Sequence, residues 1–509
     1  MPPEGALPLF IGVDVGTSET KGAVVASDGS TVAQARRPHA LLTPEPGFAE
    51  HDPETAWWQG LCSVVGALLA APGVERSRLA AIACSGIGPC VLPTDADLRP
   101  LSMAILYGVD TRAEAQILRL ATSLGADEIE ARAGCHLSSQ SAGPKIAWLR
   151  DEQPEVHRGA RWFLTCQSFL VARLTGQVVI DRTTASHFHP LYDRRTDAWN
   201  TAGCEDFVRP GQLARIVDAT AVAGTVTPTA AAATGLPAGL PVIAGTADAP
   251  AEAVASGVLA PGDQMVMYGS SSFVIQVTDR PSASAVLWPS PFALPATHSL
   301  SGGSSTAGTL IRWFEREVMG AEATPETHAA FSSLADAAAP GARGLLALPY
   351  FHGERTPLFD AGARGVILGL GLEHTRADLA RAVVEGVAHS MADVLLAFDR
   401  DGHPPSRIRA VGGGTRNRAW VQAVSDIYGA DQEVVETLGA CQGDAALAAL
   451  AVGALDDPEE CRAWVSPRDV VRPRAELRDL YRRDHERFGA LYARTRDLLP
   501  DPARAEARR

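Results

Sequence analysis

Five residues in one turn pose the first chemical question. The run LFIGVDVGTSETKGAVVA, residues 9–26, gathers Asp14, Gly16, Thr17, Ser18 and Lys21 between two apolar stretches. A turn of glycine and hydroxyl residues points N–H and O–H donors into one concavity and makes a nest for an anion. A carboxylate beside that nest repels phosphate unless a divalent cation stands between them. Mg²⁺ takes one or two carboxylates together with phosphate oxygens and water. Asp14 is therefore a metal candidate, Thr17 and Ser18 are phosphate candidates, and Lys21 is a counter-charge. The same residues also suit a plain turn, with Asp14 capping it and Lys21 solvated. Asp248 is the second carboxylate of interest, between the strand pattern LPVIAGT and a helix. Aspartate is a favoured helix cap. It is also the group that phosphoryl transfer to an alcohol needs within hydrogen-bond reach of the attacking hydroxyl.

The elements that must position these groups follow from the pattern. Residues 9–26 read as two strands, VAQARRP as a third, and Asp52-Pro53 as a helix start followed by apolar residues at helical spacing. LAAIACSGIG (79–88) reads as a buried strand and a glycine turn, with helices over 111–133 and 144–151. The opening shape then returns in DQMVMYGSSSFVIQV (263–277), with Gly269, Ser270 and Ser271 in the turn. This echo implies two halves of one architecture facing a cleft. A third glycine point lies at VGGGTRN (411–417). Helices are expected over 376–399 and beyond residue 474, and the boundaries fall at 1–256, 257–490 and a polar tail over 491–509. No GxxxxGK[ST] loop and no strand–GxGxxG–helix unit is present, so a phosphate site here uses another cradle.

The totals narrow the partners. The 509 residues carry a net charge of −14, which argues against nucleic acid, whose phosphates are bound by clustered Lys and Arg. Eight scattered cysteines show no zinc spacing and suit a reducing cytoplasm. The opening MPPEGALPLF lacks the basic region of a signal peptide, and no later apolar stretch is long enough to span a bilayer.

The segments GVDVGTSETKG, AGTADAPAEAVASG, MYGSSS, LPYFHGERTP (348–357) and VGGGTRNRAWVQAVSDIYG (411–429) stand in one order. Over roughly residues 9–455 that ordered set resembles the FGGY carbohydrate kinases, nearest to their xylulose kinase branch. The resemblance implies an α/β fold of two ribonuclease-H-like domains of the actin/hexokinase type, with ATP and sugar in the cleft. It implies that Thr17, Ser18 and Lys21, with Gly269, Ser270 and Ser271, face the phosphates. Gly412, Gly413, Gly414 and Asn417 would lie along the adenosine, Asp14 would hold Mg²⁺, and Asp248 would be the catalytic base beside the sugar. ILYGVDTRAE resembles the sugar-binding segment, so Asp110 and Arg112 are expected at the sugar, although Asp110-Thr111 equally caps a helix. Glu354 and Arg355 are expected as a structural ion pair behind the cleft. Gly88-Pro89 stand where xylulose kinases usually carry a Met-His pair. The resemblance implies D-xylulose or a related pentulose as the sugar, and the missing pair leaves another ketose or a polyol of the ribulose, erythritol or glycerol type as the alternative. A non-enzymatic, nucleotide-gated actin-like protein is the rival on the same fold. The partners implied are small molecules, with no membrane or nucleic acid and with room for a homodimer.

Overall fold

The computed structural model describes residues 7–498. Residues 1–6, and 499–509 of the expected tail, lie outside it. Two seven-stranded sheets form the framework. In the first, Leu9–Val15 pairs antiparallel with Glu19–Ala26, which pairs antiparallel with Thr31–Pro38; on its other side Leu9–Val15 pairs parallel with Leu79–Gly86. In the second, Asp263–Tyr268 pairs antiparallel with Ser272–Thr278 and parallel with Arg407–Val411. The two sheets thus repeat the same local order around two hairpins. Leu9–Val15 is buried at every position, as a strand covered on both faces must be.

Each half has its own apolar core, and a third cluster joins them through Phe10, Val254, Met265, Ile275 and Leu447. The helix Ala440–Ala451 belongs to the second half by sequence but packs on the first sheet. Its approach is so close that a Cβ on Gly12 would lie 1.8 Å from the Cys441 carbonyl oxygen. Only a bare backbone fits there.

Two expectations are corrected. The helix expected over 111–133 is two helices, Glu114–Leu124 and Ala126–Ala133, broken at Gly125, whose φ is +82°. The tail does not begin at 491, because the helix Arg478–Thr495 runs through that point. Phe488 and Leu491 are buried with Leu346, Leu348 and Tyr350, and Tyr492 Oη donates to Asp360 Oδ2 at 2.7 Å. The charged face of this helix obscured the apolar contacts that extend it.

Candidate active site

The first hairpin ends its leading strand at Asp14 and Val15, so the carboxylate emerges at the carboxyl end of the sheet. Asp14 stands opposite Lys21 in the antiparallel register and beside Ser85 in the parallel one. Ser85 Oγ lies 3.2 Å from Asp14 Oδ1 and 2.7 Å from Asp444 Oδ2. One hydroxyl proton cannot serve two carboxylates. Burial pushes Asp444 well above the usual carboxylate range, which makes it the protonated partner. Burial pushes Asp14 itself up to about 6, against the pull of Lys21 and Ser85.

Asp248 opens the helix Asp248–Ala255, after the short strand Thr246–Ala247 that pairs with Leu79–Gly86. Ala247 holds the N-cap position and Asp248 the first helical one, where its Oδ1 accepts the Ala249 N–H at 2.8 Å. Burial and the nearby Asp14 push Asp248 up to about 8. One turn later Glu252 is pushed up to about 7, again by burial and then by Asp14. Asp181 fixes this corner from below: its carboxylate accepts from Thr246 Oγ1, Gln167 Nε2 and the Thr184 N–H.

Asp248 lines a cavity of about 220 Å³ between the halves. Tyr107 and His189 come to it from the first half, and Ser271, Phe273 and Arg355 from the second. Tyr107 Oη lies 3.4 Å from Thr17 Oγ1, which ties this cavity to the first turn. Three buried polar atoms on its walls, His189 Nδ1, Thr183 Oγ1 and Arg355 Nε, have no partner among the described residues. Burial holds His187 at about 4 and His189 at about 3, so both imidazoles are neutral. They serve as hydrogen-bond partners and not as cations. Gly88 and Pro89 line the same cavity, so two histidines from residues 187–189 bring imidazoles to a wall whose expected Met-His pair is missing.

A second cavity of about 670 Å³ lies wholly in the second half. Gly269, Ser270, Gly413, Gly414 and Asn417 line it, with Ile311, Phe331 and Trp420 as apolar walls. Gly412 sits just behind at φ +94°, where a Cβ would press to 2.7 Å from the Tyr268 carbonyl oxygen. Asn417 Oδ1 accepts the Trp420 N–H and caps the helix Arg418–Tyr428. The second turn therefore faces both cavities, Ser270 the larger one and Ser271 the smaller.

Not every expected residue reaches a cavity. Lys21 Nζ stays 3.3 Å from Glu19, and Ser18 is exposed on the first turn. Asp110 and Arg112 are corrected as sugar ligands. Arg112 Nε lies 3.0 and 2.9 Å from the two Asp110 oxygens, and Arg112 Nη2 is 2.7 Å from Oδ2. Asp110 Oδ2 also accepts the Ala49 N–H, Arg112 Nη1 pairs with Glu50 at 2.8 Å, and the guanidinium stacks over Phe48 and Trp148. Neither residue lines the cavity, and a carboxylate so fully used has nothing left for a sugar. Tyr107, three residues earlier, is the side chain of that segment which faces the cleft. The ion pair expected of Glu354 and Arg355 is also absent among the described residues. Glu354 accepts the Ser305 and Arg355 N–H groups and Ser390 Oγ, while Arg355 Nη2 donates to the Ser304 carbonyl at 2.7 Å.

Residues 9–255 match the N-terminal domain of the FGGY family of carbohydrate kinases, and residues 264–452 match its C-terminal domain. The chain belongs to this family: it is a carbohydrate kinase, a phosphotransferase with the two-domain actin/hexokinase-type fold. It is 28% identical over 506 residues to a xylulose kinase of Staphylococcus epidermidis, covering 97% of this chain and 98% of that protein. It is 30% identical over 482 residues to a glycerol kinase of Nocardia farcinica, covering 89% and 92%. The crystal structure of xylulose kinase from Rhodospirillum rubrum superposes with a TM-score of 0.89 at 30% identity, over 96% of this chain and 99% of that one. Kinases of this family use ATP. No helix among the described residues is long and apolar enough to cross a membrane.

Proposed function

We propose that the enzyme transfers the γ-phosphate of MgATP to a terminal hydroxyl of a ketose, with D-xylulose or a related pentulose as the substrate. The observation that carries this reading is the set of three unpartnered polar atoms, on His189, Thr183 and Arg355, sharing one small cavity with Asp248. A polyhydroxylated ligand offers partners to several such groups at once. Unpaired buried donors and acceptors also discriminate strongly against a substrate that leaves them empty. The 28% identity with a xylulose kinase supports the pentulose.

In this reading Asp248 Oδ2, which accepts no hydrogen bond from the described residues, takes the proton of the sugar hydroxyl as that oxygen attacks the γ-phosphorus in line. Tyr107 and the neutral histidines orient the sugar. Thr17 and Ser18 on one side, and Ser270 and Ser271 on the other, donate to the phosphates, Gly269 shapes the second turn by donating its N–H to the Ser271 carbonyl, and Lys21 is the counter-charge. Gly412, Gly413, Gly414 and Asn417 border the adenosine. Asp14 fits a Mg²⁺ partner: burial holds its carboxyl above the usual range, and Oδ2 accepts no hydrogen bond from the described residues. When bound there, Mg²⁺ would neutralise phosphate charge, with water and phosphate oxygens completing its shell. Eight free cysteines, seven of them buried, support a reducing cytoplasm as the place of action.

A coupled ADP-release assay with MgATP against a panel of ketoses, polyols, glycerol and gluconate tests the proposal. D-xylulose or another pentulose is expected to win by at least tenfold in kcat/KM. Preference for glycerol or gluconate overturns the pentulose reading.

A further inference from the structure

Of the charged groups lining the larger cavity, Arg312, Arg416 and Glu315, the last is the carboxylate, and the transfer chemistry leaves it unused. Glu315 lies near the end of the helix Gly308–Glu317, and its side chain is 0% exposed although it lines the cavity wall. Its Oε1 accepts from His328 Nδ1 at 2.6 Å; the ring nitrogen is the donor because a carboxylate only accepts. Its Oε2 has no partner among the described residues. A buried carboxylate oxygen left without a donor is costly, and a ligand that brings one removes the cost.

The helix itself fixes where along the nucleotide this oxygen falls. Its first residues are bonded to the second turn: the Gly308 and Thr309 N–H groups donate to the Gly269 and Ser270 carbonyls at 3.0 Å, and Arg312 Nη2 donates to Ser270 Oγ at 2.9 Å. Glu315 follows Gly308 by seven residues, about 10 Å along the axis. That sets it one turn beyond Ile311, away from the second turn, in a cavity whose apolar walls of Ile311, Phe331 and Trp420 suit the faces of a base.

We infer that Glu315 selects the base, with Oε2 accepting one N–H of the adenine 6-amino group. The inference rests on the reading that ATP occupies this cavity. Because His328 takes the other oxygen, Glu315 offers a single acceptor. Adenine presents one amino donor at that edge, whereas guanine and hypoxanthine present a 6-oxo acceptor that a carboxylate repels.

The test measures nucleotide binding to the full chain by calorimetry without sugar, and sugar-dependent turnover separately. The probes are ATP, inosine triphosphate, purine riboside triphosphate (which lacks the 6-amino group) and 2′-deoxyATP. The wild type is expected to bind ATP at least tenfold more tightly than either 6-modified nucleotide. Glu315→Ala should bring ATP and purine riboside triphosphate to within about twofold of each other. In Glu315→Gln the amide oxygen takes the His328 proton and the amide N–H faces the cavity, so preference for ATP over inosine triphosphate should fall at least tenfold. A gain for inosine triphosphate cannot come from misfolding. The inference is overturned if the wild type does not discriminate at position 6, or if both variants keep the wild-type ratios. It is also overturned if the variants lose only a preference for the 2′-hydroxyl, which would make Glu315 a ribose ligand. Selective nucleotide binding without turnover of any sugar would sink the proposed reaction and leave this inference standing; sugar turnover without base selectivity would do the reverse.

Discussion

The two hairpins of the molecule share a backbone and differ in charge. At the penultimate position of the leading strand the first carries Asp14 and the second Met267. Opposite them in register stand Lys21 and Phe273. The parallel neighbour of Asp14 is Ser85, whereas that of Met267 is Val411, next to the glycine loop. At the turn the first hairpin thus sets charged groups, and the second sets neutral backbone and hydroxyl donors beside apolar side chains. The lesson is that a repeated framework can be divided by chemistry, with charged groups at one hairpin and neutral ones at the other.

The sharpest way to break this division is at Asp248. Asp248→Asn should lower sugar-dependent kcat by about 10²- to 10⁴-fold while ATP still binds, checked by coupled assay and calorimetry. Near-wild-type turnover would move the proton chemistry elsewhere. Asp14→Asn should weaken Mg²⁺ dependence by about 10- to 100-fold, read from a metal titration at saturating sugar. An equal effect from Met267→Leu would erase the asymmetry.

The corrected pair sharpens the comparison differently. Asp110→Ala leaves the buried Arg112 guanidinium with Glu50 as its remaining carboxylate and should cost about 1 to 3 kcal/mol of stability in denaturant titration. Tyr107→Phe should instead raise the sugar KM severalfold in a fold of ordinary stability. If Asp110→Ala changed only KM, the segment would have been read correctly from its sequence after all.

Titration provides a milder test. Asp14, Glu252 and Asp248 have folded values raised to about 6, 7 and 8. Buried histidines such as His187 and His189, held at about 4 and 3, act in the opposite sense below about pH 6.5, where they are charged only in the unfolded chain. Above that, Glu252 and Asp248 keep protons the unfolded chain has lost, and stability falls as pH rises from about 6.5 to 8. The thermal midpoint of the Mg²⁺-free, ligand-free protein should drop by a few degrees from about pH 7 to about pH 8.5, and less in Asp248→Asn. The smallest effect belongs to the neutral side. Ser271→Ala removes one hydroxyl among several donors and should reduce kcat/KM by only a few-fold, measured at low ATP.

How much of this was legible in the sequence depends on whether the signal was local. Both hairpins show as apolar strand runs on either side of a glycine turn, and the glycine loop shows in three consecutive residues. Asp248 shows because a carboxylate directly follows a strand. In ILYGVDTR, by contrast, Tyr107 and Asp110 share one turn, and only the placement of Ala49, Phe48 and Trp148 decides which faces the cleft. Thr183, His187 and His189 carry no motif and reach the cavity through the corner that Asp181 holds. Glu315 on a polar-looking helix is invisible until His328 is seen to take just one of its oxygens. Long-range packing decided each of these, and spacing does not encode it.

The helix Ala440–Ala451, seated against Gly12, has a consequence for how the chain is made. It covers one face of a sheet whose own strands are complete by residue 247. On a ribosome adding about 5 to 20 residues per second, that face waits on the order of 10 to 40 seconds for its cover. During that interval the nascent chain presents Phe10, Ala23 and Val25 to water, with Ala81 and Ala83 beside them. The first half is therefore the part a chaperone would meet first, and a product truncated before residue 440 would be the aggregation-prone one.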